Sequence, residues 1–320
     1  MELIRGLYNL KPHHHGCVAT IGNFDGVHLG HQHVLGELAE KADEMKLPAL
    51  VITFEPQPQE FFAPERCPGR LTRFREKIKA LRRLAIDRIF TLHFTQALAE
   101  MESELFIQQV LVDGLGIRYL VVGDDFRFGK GRKGDFEMLQ QAGAVHGFQV
   151  VNMHTFLLAG ERVSSTRIRQ ALGEGNLDRA EILLGRPYRM CGRVAHGHKR
   201  GRQIGFPTAN IHLHRKVSPI EGVFAVEMFG VEGEPVTGVA NVGIRPTVNG
   251  TRTILEVHLF DFDGDIYGRH VSVDFHKKIR NEQKFDSFDQ LKAQILIDAE
   301  EARAYFLVRY STASERQVQG

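Results

Sequence analysis

Two histidines three residues apart, His28 and His31, lie where a short apolar run at 18–21 gives way to a long amphipathic pattern. This order predicts a strand that leads into a helix, with both side chains at the helix N-terminus. Unpaired N–H groups and the helix dipole favour an anion there, and histidine donors can stabilise charge that develops on a transferred phosphoryl oxygen. An isolated His-x-Gly-His is more often a surface turn, but its place directly after a buried strand favours a functional interpretation.

Glycines surround this histidine pair and would let the backbone approach a phosphate closely, because glycine has no Cβ and tolerates positive φ. The candidate nucleotide-binding residues of this loop are Gly22, Phe24, Asp25, Gly26 and Gly30.

Two further segments are predicted at the same edge of the sheet. A glycine-rich loop at 123–132 follows the apolar run 119–122, and Ser165, Thr166 and Arg167 begin a short helical pattern. Hydroxyls and a cation at a helix start suit the β- and γ-phosphates of a nucleoside triphosphate. Each segment alone is more typical of a capped helix or a solvated basic loop. Three such segments at one sheet edge favour a nucleotide site.

A second glycine-rich segment, 192–210, is basic and ends in Pro207-Thr208-Ala209-Asn210. In an extended segment, Thr208 and Asn210 lie on the same side, and their oxygens can both coordinate a hard cation such as Mg²⁺ that bridges nucleotide phosphates. A lone motif of this kind is more often a proline turn in which the asparagine caps backbone groups. The basic loop before it favours the metal interpretation.

Glu256 belongs to an alternating pattern that predicts a strand, on the same face as His258. It is either a solvent-facing carboxylate or a base that accepts a proton from an attacking hydroxyl during phosphoryl transfer. The residues alone leave these two interpretations equally supported.

The elements that must position these residues change character along the chain. From residue 18 to about 153, apolar runs alternate with amphipathic stretches, which predicts βαβ units and a Rossmann-like parallel sheet covered by helices on both faces. Beyond residue 186, short alternating runs separated by Gly, Pro and Asn predict an antiparallel barrel or sandwich, followed by a helix over 287–306. We therefore predict two domains, 1–185 and 186–320.

Composition excludes several classes of protein. Among 320 residues, 42% are hydrophobic and 25% are charged, which is typical of a globular protein, and the net charge of only +2 gives no extended nucleic-acid footprint. Three widely spaced cysteines form neither a disulfide framework nor a zinc motif. With no run of about 20 apolar residues, we expect no membrane span and no signal peptide, and a cytoplasmic location.

The N-terminal motifs resemble the nucleotidyltransferase superfamily, in particular the FMN adenylyltransferase module of the bacterial bifunctional riboflavin kinase/FAD synthetases. The matching segments are GNFDGVHLGHQ, FEPQP, GDDFRFGKGRKGD and SSTRIR. The resemblance implies transfer of AMP from ATP to FMN with release of pyrophosphate. It implies that His28 and His31 stabilise the α-phosphate transition state and that Ser165 and Arg167 hold the β- and γ-phosphates. It also implies that Asp125 and Arg127 line the joint flavin–nucleotide site.

The C-terminal motifs are similar to riboflavin kinase in the segments GFPTAN, ANVGIRPT, LEVHLFDFDGDIYG and RNEQKF. This similarity implies a six-stranded barrel that phosphorylates the ribityl 5′-hydroxyl of riboflavin. The implied roles are Mg²⁺ binding by Thr208 and Asn210, catalytic base for Glu256, the ATP loop for Arg202 and Gly205, and a flap over the flavin for Arg280 and Glu282.

Two other functions remain open at this stage. A tRNA-directed adenylating ligase shares the His-Gly-His helix start, but the chain lacks a Lys-Met-Ser-Lys-Ser-like loop and a basic anticodon module. A flavin-binding regulator or carrier would need no turnover, yet all the residues that the chemistry requires are present. The expected partners are riboflavin, FMN, FAD and ATP, with no nucleic acid or membrane, and weak self-association is left open.

Overall fold

The computed structural model describes residues 1–123, 125–153, 156–196, 206–215, 217–231, 233–247 and 250–318. The chain folds into two compact units. One contains Met1–Cys67 and Thr72–Ser164, and the other contains Pro68–Leu71 and Ser165–Gly320. This structural division precedes the change of sequence pattern near residue 185, and the predicted domain boundary at 185 stays a prediction.

The first unit is built on a six-stranded sheet. Its strands are β1 (Glu2–Arg5), β2 (Cys17–Ile21), β3 (Ala49–Glu55), β4 (Arg88–His93), β5 (Ile117–Gly123) and β6 (Gln149–Met153). They follow the order β1-β4-β3-β2-β5-β6, and every neighbouring pair is parallel. All carboxyl ends therefore meet at one edge, where open α/β sheets bind their ligands.

Helices cover both faces of this sheet. They are α1 (Leu29–Met45), α2 (Pro58–Phe62), α3 (Phe74–Leu81), α4 (Gln96–Ala99), α5 (Ser103–Phe106) with a π-helical continuation (Ile107–Val112), and α6 (Phe136–His146). Strand β2 is buried on both sides. Val18 packs in a core with α1 and α3, whereas Ala19 and Ile21 pack in the opposite core with the α5 region and α6. This two-sided burial explains the unbroken apolar sequence of the strand.

The second unit begins with α7 (Ser165–Gly173) and α8 (Leu177–Leu184), followed by a closed barrel. The barrel strands are β9 (Tyr188–Ala195), β10 (Ala209–His212), β11 (Gly222–Phe229), β12 (Val236–Thr247), β13 (Gly250–Leu259) and β14 (His270–Arg280). We keep β7 and β8 for a two-stranded hairpin in the first unit, Leu157–Leu158 with Glu161–Arg162. The barrel order is β10-β13-β12-β11-β14-β9, with antiparallel pairing throughout.

A long C-terminal helix, α9 (Phe288–Val318), packs on the outside of the barrel. Ala299, Ala302 and Phe306 from the helix join Val223 and Val239 from the strands in one buried cluster. The small alanines let the helix lie close to the sheet, and Phe306 fills the space beside them.

The predicted fold class, a parallel α/β domain followed by a six-stranded antiparallel barrel and a C-terminal helix, is confirmed. Besides the two-residue strands β7 and β8, the sequence analysis missed β1 and β10. β1 is a short edge strand of which only Ile4 is fully buried, so it carries almost no apolar signal. β10 has only four residues, of which Ile211 alone is buried, so its alternating pattern is too short to indicate a strand.

Candidate functional site

The two histidines at the start of α1 form a stacked pair. Their ring centroids lie 3.6 Å apart with an interplanar angle of 15°. His28 is the N-cap of α1, and its Nδ1 accepts a hydrogen bond of 3.3 Å from the backbone N–H of His31. An accepting Nδ1 places the proton of the neutral ring on Nε2. The N–H group of the His28 ring is therefore at Nε2.

His31 is held neutral. Burial, His28 and Lys77, in order of importance, hold the pKa of His31 well below its usual value. Its Nδ1 atom is buried and has no hydrogen-bond partner among the described residues. The His31 ring is therefore neutral rather than an imidazolium.

The loop before the pair has an unusual backbone. Phe24 has φ 48° and Val27 has φ 45°, and Gly26 between them has φ 88°. A positive φ is uncommon for any residue with a Cβ and is a true outlier for a β-branched valine. At Gly30, an added Cβ would crowd the His28 ring and the backbone oxygen of Val163. Strain of this kind persists only where surrounding contacts hold it.

Asp25 supplies those contacts. Its Oδ1 accepts hydrogen bonds from the backbone N–H of Thr72, at 2.9 Å, and from the Thr72 hydroxyl, at 3.2 Å. The Thr72 Oγ1 in turn accepts a hydrogen bond of 2.9 Å from the backbone N–H of Gly26. Both side chains are buried. Asp25 and the core residue Phe24 thus hold the loop through buried contacts. Direct contact of either residue with a nucleotide stays a prediction.

Asp125 and Arg127 lie beyond the carboxyl end of β5. The Asp125 Oδ2 accepts a hydrogen bond of 3.4 Å from Arg162, and Arg127 forms an ion pair of 3.4 Å with Asp135. All four side chains are substantially exposed. Such pairs contribute little to stability and exchange readily with a charged ligand.

Ser165, Thr166 and Arg167 form the first turn of α7, as the sequence predicts. Thr166 and Arg167 are exposed and Ser165 is half-buried. Their grouping with the histidine pair stays a prediction, because α7 is part of the second unit.

In the barrel, Asn210, Glu256 and Asn241 stand in one row across three strands. Asn210 of β10 is directly opposite Glu256 of β13, which is directly opposite Asn241 of β12. Directly opposite residues of an antiparallel sheet share a face, with Cβ atoms about 4.5–5.5 Å apart. The carboxylate of Glu256 is thus flanked by two carboxamides. Asn241 was missed by sequence reasoning, since only the strand pairing reveals this row.

A cavity of about 590 Å³ adjoins this row and is large enough for a nucleotide. Among its lining residues are Thr208, Asn210, Asp263, Asp265 and Tyr267. A hydroxyl, a carboxamide and two carboxylates are oxygen donors of the kind that Mg²⁺ prefers. The residues present therefore fit the cation that the sequence predicts. Arg202 and Gly205, assigned to the same nucleotide loop, lie outside the described residues.

The predicted flap residues lie next to the row. The Glu282 Oε1 accepts a hydrogen bond of 3.2 Å from the Asn241 side chain, and its carboxylate lies so close to Gly243 that a Cβ there would collide with it. Arg280 instead donates two hydrogen bonds of 2.8 Å to the buried Asp298 of α9. Arg280 is thus anchored to α9 in this structure, and a flap over the flavin that includes Arg280 and Glu282 stays a prediction.

Another polar cluster, in the first unit, is a weaker metal candidate. Glu2, His13 and His14 bring their ligand atoms within 4.8 Å of one another. However, the His14 Nδ1 accepts a hydrogen bond from the Lys11 N–H, so its Nε2 carries the proton and donates to Glu2 at 3.0 Å. That hydrogen bond is the largest cause of a lowered Glu2 pKa. A protonated Nε2 is no metal ligand.

Comparison with known proteins identifies both units. The profile of the FAD synthetase family matches residues 10–167, and that of the riboflavin kinase family matches residues 184–306. Bifunctional riboflavin kinase/FMN adenylyltransferases from Haemophilus influenzae and Escherichia coli K12 are 53% and 52% identical to the chain. The alignments cover 96% of this chain and 99% and 98% of those relatives. The chain belongs to the bifunctional riboflavin kinase/FMN adenylyltransferase family.

A solved structure has the same two-unit fold. The crystal structure titled as a macrolide-efflux protein from Streptococcus pneumoniae matches with a TM-score of 0.79 and 32% identity, over 94% of this chain and 98% of that one. In the described part of this bifunctional family member, no helix is long and apolar enough to span a membrane.

Lys77 is a second residue that the sequence analysis missed. It is fully buried in α3, and its Nζ donates a hydrogen bond of 3.3 Å to the Thr53 hydroxyl near the carboxyl end of β3. The N–H of Gly22, at the start of the histidine loop, is bonded to the adjacent Ile52 carbonyl. A lysine within an amphipathic helix usually faces solvent, so sequence alone gives no signal for this position.

Lys77→Met is expected to raise the pKa of His31, because the substitution removes a positive charge that disfavours the imidazolium form. The pKa stays below that of a free histidine, since burial and His28 still lower it. Histidine ring-proton NMR against pH measures the shift, with His31→Gln used to assign the resonance. Lys79→Met on the exposed face of the same helix is the matched control. Equal titration curves for the two methionine variants would contradict the expectation.

Proposed function

We propose that the histidine loop of the first unit is the site of FMN adenylylation and that the Asn210–Glu256–Asn241 row of the barrel is the site of riboflavin phosphorylation. The enzyme makes FMN from riboflavin and ATP, and then FAD from FMN and ATP. The observation that carries the two-site proposal is that each family match spans its own cluster of donor or acid–base side chains.

In the adenylylation, a phosphate oxygen of FMN attacks the α-phosphorus of ATP and pyrophosphate leaves. The attacking phosphate is already an anion, so no general base is needed. The chain must instead stabilise the charge that develops on the α-phosphate oxygens. Nε2–H of His28 and an N–H of the neutral His31 are suited to that task. The N-terminus of α1 adds unpaired N–H groups beside them.

Other residues are proposed to bind the two substrates of this step. Ser165, Thr166 and Arg167 would hold the β- and γ-phosphates at the start of α7, as first-turn N–H groups and a guanidinium suit phosphate oxygens. Asp125 and Arg127 would contact the flavin nucleotide after exchanging their exposed ion pairs. The strained loop between Gly22 and Gly30 would let the backbone approach the nucleotide closely.

In the phosphorylation, Glu256 accepts the proton of the ribityl 5′-hydroxyl as that oxygen attacks the γ-phosphorus of ATP, and ADP leaves. The half-buried carboxylate lies on the face shared with Asn210. Thr208 and Asn210 would hold Mg²⁺ at the cavity, where the cation would neutralise charge on the phosphate oxygens. Arg202 and Gly205 are proposed for the ATP loop, and Arg280 and Glu282 for the flap over the flavin.

The cytoplasm is the proposed location, supported by three free cysteines that would suit a reducing compartment.

A time course of the purified full-length chain with riboflavin, ATP and Mg²⁺ tests the proposal. Flavins separated by HPLC should show FMN rising first and then falling as FAD accumulates, because the product of the barrel is the substrate of the first unit. FMN without FAD would contradict the adenylylation site. No conversion of riboflavin would favour a flavin carrier without turnover.

A further inference from the structure

The two polar atoms of the Asn241 side chain have different surroundings. Its Nδ2 donates a hydrogen bond of 3.2 Å to the Glu282 Oε1. Its Oδ1 is buried and accepts no hydrogen bond from the described residues. A buried acceptor without a donor is unfavourable, because its hydrogen bonds to water are lost on folding and no hydrogen bond within the protein replaces them. Most such atoms in native structures are paired, so an exception next to a reactive carboxylate calls for a partner that arrives with the substrate.

The contact with Glu282 fixes the orientation of the carboxamide. A carboxylate only accepts hydrogen bonds, so the amino group must face Glu282 and the oxygen must face away from it. The two carboxamides that flank Glu256 thus have separate tasks. Asn210 lines the cavity assigned to the nucleotide, whereas Asn241 is on the opposite side of Glu256, beneath the flap.

Position and chemistry together indicate what the free oxygen binds. Glu256 must lie beside the hydroxyl that it deprotonates, and Asn241 is its direct cross-strand neighbour on the same face. A second hydroxyl one or two carbons along a polyol chain would come within reach of that neighbour. The ribityl chain of riboflavin has hydroxyls of this kind next to the reacting one.

We propose that Asn241 is a substrate-positioning residue for the kinase reaction, whose Oδ1 accepts a hydrogen bond from a ribityl hydroxyl adjacent to the one that Glu256 deprotonates. Its Nδ2 holds Glu282 over the bound chain. The inference rests on the proposed role of Glu256. It adds a specificity that no other described contact supplies: recognition of the polyol chain rather than of the flavin ring.

The test compares two substrates in the full-length enzyme. One is riboflavin, and the other is a flavin with a 5-hydroxypentyl side chain, which keeps the terminal hydroxyl and lacks the others. Asn241→Ala is expected to lower kcat/KM for riboflavin by about 10–100-fold, the range for losing a hydrogen bond to a substrate hydroxyl. The hydroxypentyl flavin should lose far less, because it never made the contact. Any effect of a loosened flap is common to both flavins and cancels in their ratio.

Two controls keep the result interpretable. Phosphorylation of the hydroxypentyl flavin by the same variant reports that the barrel is folded, and Thr237→Ala removes a polar side chain from the same strand away from the row. Equal losses for the two flavins, or a wild-type enzyme that does not distinguish them, would overturn the role of Asn241. Kinase activity retained by Glu256→Gln would instead overturn the proposed base, so the two failures are distinguishable.

Discussion

We expect His28→Ala to abolish most FMN adenylylation and to leave riboflavin phosphorylation unchanged. The Nε2–H of His28 is a preorganised donor, fixed because its Nδ1 caps α1 and its ring stacks on His31. Removing one such donor to a developing oxyanion lowers kcat by about 10²–10³-fold. The two activities are measured separately, as FAD formed from FMN and as ADP formed with riboflavin.

The effect of His28→Ala on the stability of α1 must be separated from its effect on catalysis. His28→Ala also removes the acceptor for the His31 N–H, which costs about 1 kcal/mol of stability in a typical N-cap. His28→Asn retains an acceptor near the position of Nδ1 but offers no donor at the position of Nε2. We expect it to be as inactive as the alanine variant and more stable on thermal unfolding. His33→Ala, at an exposed position of the same helix, is the control. An active His28→Asn enzyme would reduce His28 to a structural role.

Much of the histidine site could be predicted from sequence because its signals are local. A buried strand, a glycine loop and a helix start follow one another within 14 residues, from 18 to 31. The chain confirms this order, with β2 ending at Ile21 and α1 beginning at Leu29. What the sequence did not reveal is the protonation of the pair, since the neutral state of His31 depends on burial and on Lys77 from a distant helix.

Less of the barrel site could be predicted from sequence, because its arrangement depends on contacts between distant segments. Thr208, Asn210 and Glu256 were predicted from residue type and resemblance, but the spatial relation of Asn210, Glu256 and Asn241 depends on the register of β10, β13 and β12. Register arises from long-range pairing and is invisible in a single run of residues. For the same reason Asn241 was not predicted, although it is directly opposite Glu256 on the neighbouring strand. Arg280 is a similar case, because its hydrogen-bond partner Asp298 lies on the C-terminal helix and is not part of the motif that contains Arg280.

We expect Glu256→Gln to remove riboflavin kinase activity and to spare FMN adenylylation. The glutamine keeps the size and hydrogen-bonding reach of the side chain but cannot take the proton of the 5′-hydroxyl. A positioned general base contributes about 10²–10⁴-fold to the rate, and we expect a loss of kcat in that range. The KM for riboflavin should change little, because the flavin is held by other contacts. ADP release at saturating riboflavin measures the loss.

The pH dependence separates a base from a merely structural carboxylate. If Glu256 takes the proton, the pH–rate profile of Glu256→Gln differs in shape from that of the wild-type enzyme, because the general base has been removed. A structural role would lower the rate without altering the profile. Glu221→Gln, at an exposed position of the same unit, is the control for charge removal. Loss of both activities in Glu256→Gln would contradict two independent sites, since FMN supplied directly bypasses the kinase step.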